Sequence, residues 1–119
     1  MTDPNYNVPG DFVITKSMTI VGQGAGISTV DGAELSRIFN ILGNINVTFA
    51  NLRLRHGGTT QLDGGAIQAL TANIRVVNCI LSDNIGVQGG AINDQSGNVT
   101  LIGSTVSRNV AQYSRRAIA

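Results

Sequence analysis

The segment Gly64-Gly65-Ala66-Ile67 returns as Gly89-Gly90-Ala91-Ile92, a displacement of 25 residues. The same displacement carries Asn73-Ile74-Arg75-Val76-Val77-Asn78 onto Asn98-Val99-Thr100-Leu101-Ile102-Gly103. It also carries Leu81-Ser82-Asp83-Asn84 onto Val106-Ser107-Arg108-Asn109. A more degenerate copy, Asn46-Val47-Thr48-Phe49-Ala50-Asn51, lies 27 residues ahead of Asn73. Self-similarity at such an interval is the mark of one small unit stacked on copies of itself.

Within each copy apolar and polar residues alternate. Val47 and Phe49, Ile74 and Val76, and Val99 and Leu101 are separated by Thr48, Arg75 and Thr100. A period of two over three to five residues predicts half-buried strands. Phe12/Ile14, Met18/Ile20 and Phe39/Ile41 read as strands of looser early copies. Turns are expected at Gly22-Gln23-Gly24, Gly43-Asn44, His56-Gly57-Gly58, Asn84-Ile85-Gly86 and Gly97-Asn98. A unit of about 25 residues with about three short strands cannot bury its own inward face, but a stack of such units can. The expected fold is therefore all-β: a single-stranded parallel β-helix of about four coils over residues 12–119, after an N-terminal extension of residues 1–11. Asn44, Asn46, Asn73 and Asn98 would gather at one corner and hydrogen-bond from coil to coil.

Composition agrees with stacking. Charged residues make up 13% of the chain, aromatics 4%, and there are 15 Gly. A charge at a repeated position would face its own copy in the next coil, and like charges directly opposite destabilise a sheet. A net charge of +1 argues against nucleic acid or an anionic membrane as partner. The apolar runs are only a few residues long, so no membrane span is expected. The single cysteine, Cys79, excludes an internal disulfide and a Cys-based zinc site. It takes the inward position shared with Leu52 and Ser104. Residues 1–7 have neither the basic start nor the apolar stretch of a signal peptide.

The chain resembles the right-handed parallel β-helix, pectin-lyase-like superfamily. In particular it resembles the repeats of bacterial surface β-helices, including polymorphic outer-membrane proteins, which pair a Phe-x-x-Asn motif with a following Gly-Gly-Ala-Ile/Leu/Val. The second motif is intact at Gly64–Ile67 and Gly89–Ile92. The first has aliphatic residues in place of Phe, as Leu81–Asn84 and Val106–Asn109. The resemblance implies a right-handed coil and a secreted or cell-surface location. Lyases and hydrolases of that fold use carboxylate clusters, with Ca²⁺ or as acid–base pairs, so it also brings polysaccharide into view as a partner.

The residues themselves support chemistry weakly. His56, Asp83 and Arg108 fall at equivalent positions of three coils and are expected to stack as a cation–carboxylate–cation ladder on one edge. Such a ladder could bind a ligand or do acid–base work, histidine being the side chain that ordinarily titrates near neutrality. The preferred reading is a surface arrangement that avoids self-repulsion, because the sequence implies no pocket and no second carboxylate beside it. The remaining acidic residues, Asp3, Asp11, Asp31, Glu34, Asp63 and Asp94, are scattered through different segments. Gly22-Gln23-Gly24-Ala25-Gly26 lacks the third glycine and the following helix of a nucleotide loop. Thr19, Thr48 and Thr100 share an outward position, but Arg75 interrupts the flat threonine face that ice binding would need. No cofactor and no metal are expected.

Arg115, Arg116 and Ile118 occupy the place of a third Gly-Gly-Ala-Ile and are expected to lie at an oligomer interface, the competing reading being that the two arginines guard an exposed sheet end. No capping segment is legible at either end of the stack, and open coil ends favour association. The expected function is thus a non-enzymatic structural or interaction module that forms a homo-oligomer through a terminal coil. The alternative is a carbohydrate-binding or carbohydrate-active part of a larger secreted or surface β-helix protein. Scarce aromatic residues favour the first.

Overall fold

The alternating segments become strands in the computed structural model, which describes residues 11–33, 36–59, 63–113 and 117–118. No helix occurs among the described residues. The first coil contains β1 (Phe12–Ile14), β2 (Met18–Val21) and β3 (Thr29–Asp31). The second contains β4 (Phe39–Ile41), β5 (Asn46–Ala50) and β6 (Arg53–Arg55). The third has four strands, β7 (Ile67–Ala69), β8 (Asn73–Val77), β9 (Ile80–Ser82) and β10 (Ile85–Gln88). The fourth repeats them as β11 (Ile92–Asp94), β12 (Asn98–Ile102), β13 (Thr105–Ser107) and β14 (Val110–Tyr113). A two-residue strand, β15 (Ala117–Ile118), follows.

Corresponding strands stack into four sheets, ordered β1-β4-β7-β11-β15 (sheet A), β2-β5-β8-β12 (sheet B), β3-β6-β9-β13 (sheet C) and β10-β14 (sheet D). The pairings are parallel, as expected for a β-solenoid of about four turns, except that β15 lies antiparallel on β11. The register is 25 residues between the third and fourth coils in every sheet, as in Ile67↔Ile92, Asn73↔Asn98, Leu81↔Val106 and Ile85↔Val110. Earlier steps vary, as in Val30↔Leu54 and Met18↔Val47, because the turns there differ in length. One expected turn is corrected: after Asn84 the chain enters β10 at Ile85. Pairing with β14 holds it extended, from Ile85↔Val110 to Gln88↔Tyr113.

The Gly-Gly-Ala-Ile motif has a stacking explanation. Its first glycine turns the chain in the left-handed region, with φ of 76° at Gly64 and 66° at Gly89. Its second glycine lies against the backbone of the next coil: a Cβ on Gly65 would meet the Gly90 carbonyl, and one on Gly90 would come 2.6 Å from the Val110 carbonyl. The alanine and isoleucine then enter the core, where Ala66, Ala91, Ile67 and Ile92 are fully buried.

The other motif closes the opposite corner. Leu81 points into the core, and Asn84 turns inward beside it. The Asn84 side chain accepts from the Gly57 amide (2.9 Å) and donates to the Leu54 carbonyl (3.2 Å) and to Asn109 Oδ1 (2.9 Å). Asn109 repeats the arrangement one coil on, donating to the Leu81 carbonyl at 2.9 Å. A buried amide thus satisfies backbone groups that the corner leaves outside the sheets. At the corner ahead of sheet B, Asn98 Nδ2 donates to Asn73 Oδ1 (3.2 Å) and Asn73 Nδ2 to Asn46 Oδ1 (3.0 Å). Ser17 lies one coil below Asn46, its Oγ accepting from the Asn46 backbone N–H at 3.0 Å. Asn44 sits two residues before this column.

The interior is built of apolar columns. Ile20, Phe49, Val76 and Leu101 form one, and Val30, Leu54, Leu81 and Val106 another. Phe39 and Phe49 meet with ring centroids 4.9 Å apart. Cys79 is buried between Leu52 and Ser104, as its position predicts.

Candidate functional site

The ladder residues are placed by the backbone of one corner. His56, Asp83 and Arg108 each follow the last residue of a sheet C strand and each adopt a left-handed conformation, with φ of 55°, 57° and 53°. That conformation reverses the chain direction so that the next residue, Asn84 or Asn109, can turn inward. The αL residue itself is left on the outer edge, its side chain beside those of the neighbouring coils. His56 and Asp83 stack directly, with the His56 amide donating to the Asp83 carbonyl at 3.0 Å.

Asp83 and Arg108 form the expected pair, bidentate at 2.9 Å from Nε and 3.2 Å from Nη2. The Arg108 guanidinium, foremost through its hydrogen bonds, holds the Asp83 carboxyl below the usual aspartate range. Asp83 in turn raises the pKa of Arg108. His56 makes its hydrogen bonds in the other direction. Its Nδ1 lies 3.2 Å from both carboxylate oxygens of Asp31, one coil back. Asp31 also accepts from Arg55 Nε at 3.1 Å and from the Ala33 amide at 2.8 Å. The Ala33 hydrogen bond, followed by those of Arg55 and His56, lowers the Asp31 pKa.

The ladder is therefore longer than the sequence suggested, and Asp31 is its first rung. From the first coil to the fourth its charges run carboxylate (Asp31), cation (Arg55, next to His56), carboxylate (Asp83), cation (Arg108). In sequence Asp31 stands among the scattered acidic residues because its strand is a degenerate copy with a register of 24, as in Asp31↔Arg55. The signal was present: Asp31 ends a Thr-Val-Asp strand that aligns with Arg53-Leu54-Arg55.

The pairs are open to solvent, with side-chain exposure of 38% for Asp31 and His56 and 71% for Arg108. Exposed pairs of this kind contribute little to stability. Both carboxylates are held ionised by their neighbours, whereas a general acid needs its pKa pushed upward. Among the described residues no group of three His, Cys, Asp or Glu side chains is placed to hold a metal ion. No helix among them is long and apolar enough to cross a membrane.

Two other polar features were not legible. Arg37 Nη2 and Asp11 Oδ2 form an ion pair at 2.8 Å with both side chains fully buried, and Arg37 Nη1 donates to the Asp63 carbonyl at 3.3 Å. Burial pushes the Asp11 carboxyl up, against the opposing pull of Arg37. In sheet A the residues between the inward positions, Asn40, Gln68 and Asn93, are also buried, and Asn93 Nδ2 donates to Gln68 Oε1 at 2.9 Å. Alternation alone would place them in water.

Arg115 and Arg116 lie outside the described residues. Ile118 belongs to β15, opposite Ile92, so this last copy of the motif turns back along β11 instead of continuing the coil. The terminal coils differ from the inner ones in burial. Phe12 is 65% exposed, although Phe39 and Ile67 above it in the same column are buried. Leu101 is 39% exposed, although Phe49 and Val76 below it are fully covered. Met18, Val21, Ile102 and Val110 are exposed as well.

Comparison of the chain with models of protein families, with curated proteins and with solved structures finds no match.

Proposed function

We propose that this chain is a non-enzymatic structural and interaction module that associates with itself through its terminal coils. We further assign it to the right-handed, pectin-lyase-like kind of parallel β-helix, on its two corner motifs. The observation that carries the association reading is the grading of burial along the columns of sheets B and C, sealed in the second and third coils and more open in the first and fourth; in sheet A, Ile14 and β11 are buried. Apolar side chains aligned for stacking, beside the outer edges of β2, β3, β12 and β13 that no described strand pairs, form a template for another stacked layer. A net charge of +1 opposes contact between copies little.

Sedimentation velocity across the micromolar range tests the reading. A sedimentation coefficient that rises with concentration is expected, and a constant monomer value would overturn it. The carbohydrate reading makes a different prediction: binding or turnover on a polysaccharide panel that is lost in His56→Ala and Asp83→Ala. The ladder supports it poorly, because its carboxylates are committed to cationic neighbours.

A further inference from the structure

Resting on that self-association, we propose that copies stack head to tail, the fourth coil of one against the first coil of the next, with Arg108 level with Gly32 of the next copy and so beside that copy's Asp31, as His56 lies beside Asp31 within the chain. The charge order on the sheet C edge carries this. Within one chain it reads carboxylate, cation, carboxylate, cation from Asp31 through Arg55 and Asp83 to Arg108. One end of the edge is negative and the other positive. A second copy added in the same direction continues the alternation, whereas joining two first coils with their sheet C edges aligned sets Asp31 against Asp31, and joining two fourth coils in that way sets Arg108 against Arg108. Like charges brought together across an interface discriminate strongly against the wrong partner.

The columns continue in the same sense. With the register of the inner coils maintained, Val99, Leu101 and Val106 of one copy cover Met18, Ile20 and Val30 of the next. Ser17 then takes the place above Asn98 that Asn98 takes above Asn73. Both sets of half-open apolar residues are covered by one joint. Such a contact is heterologous, so nothing in it stops growth at the dimer.

Sheet A adds a condition. In-register docking brings β1 of the incoming copy to the level that β15 holds on β11. β15 must therefore leave β11 as the joint forms. Its antiparallel direction makes it an edge guard, one that covers an end strand without offering a parallel template.

The test is charge reversal read by sedimentation velocity, with circular dichroism to follow folding. Asp31→Arg and Arg108→Asp each set like charges at a head-to-tail joint and are expected to weaken association at least about tenfold. The double variant D31R/R108D restores an opposite pair across the joint and is expected to recover association, although it carries both in-chain repulsions. Destabilised folding predicts the reverse, a double variant worse than either single. A double variant no better than the singles, or singles that associate like the parent chain, overturns the polarity while leaving self-association standing. A parent chain that stays monomeric overturns both. A chain ending at Tyr113, without β15, is expected to associate more tightly, and unchanged or lost association would overturn the displacement of β15.

Discussion

Phe49→Ala and Leu101→Ala perturb one column at two heights, and the structure assigns them different costs. Phe49 is fully buried against Phe39 in the second coil, so truncation leaves a closed cavity and is expected to cost about 3–5 kcal/mol. Leu101 lies in the fourth coil and is 39% exposed, so no closed cavity forms. Loss of its three outer carbons, at about 0.8 kcal/mol each when fully buried, scales with the covered three-fifths to about 1.5 kcal/mol. Urea denaturation followed by circular dichroism at the lowest workable concentration measures both. Repeating it at high concentration adds the second half of the prediction: the Leu101→Ala cost grows as a neighbouring copy covers the site, while the Phe49→Ala cost stays fixed. Equal costs at low concentration would refute the graded column. A Leu101→Ala cost independent of concentration would refute its part in association.

Other consequences are local. Asn84→Ala removes the side chain that serves the Gly57 amide and the Leu54 carbonyl, and is expected to cost about 2–3 kcal/mol in denaturant melts. Asp94 is buried at the end of the Ile14–Ile41–Ala69 column, where burial raises its pKa and its Oδ2 has no partner. Asp94→Asn is therefore expected to stabilise the chain at neutral pH, with the gain shrinking as the parent carboxyl protonates. The pH profile follows from opposite shifts. Asp11 and Asp94, raised in the fold, bind protons more readily folded than unfolded, so stability increases as pH falls toward the ordinary aspartate value of 3.8. Asp31 and Asp83, lowered in the fold, contribute stability above that value and lose it as pH falls through their folded pKa values. Thermal melts should show maximum stability just above the ordinary aspartate pKa; a decline that begins at neutrality would contradict the assignment.

The third and fourth coils were legible because every stacking requirement there recurs at one spacing: the tight glycine, the inward asparagine and the alternating strand. The first two coils kept the apolar columns but lost the motifs. Gly57 stands where Asn84 stands one coil later, and Gly32 stands where His56 does. A period search therefore finds the columns and misses their outer partners, as with Asp31. Ion pairs between unlike residues, such as Arg37 with Asp11, leave no repeat at all. Burial of Asn40, Gln68 and Asn93 defeats the alternation rule for another reason: β4, β7 and β11 are buried at every position, and polarity there no longer reports the side that meets water. The start of β10 reads as a turn in sequence because Asn84 and Gly86 are turn formers, but pairing across the coil overrides local propensity.

Head-to-tail stacking is tested most directly by amide hydrogen exchange as a function of protein concentration. The account predicts that protection rises with concentration at both ends together, in β2 and β3 and in β12 and β13, while β5 and β8 remain unchanged. Protection rising at one end alone, or at neither, would contradict it.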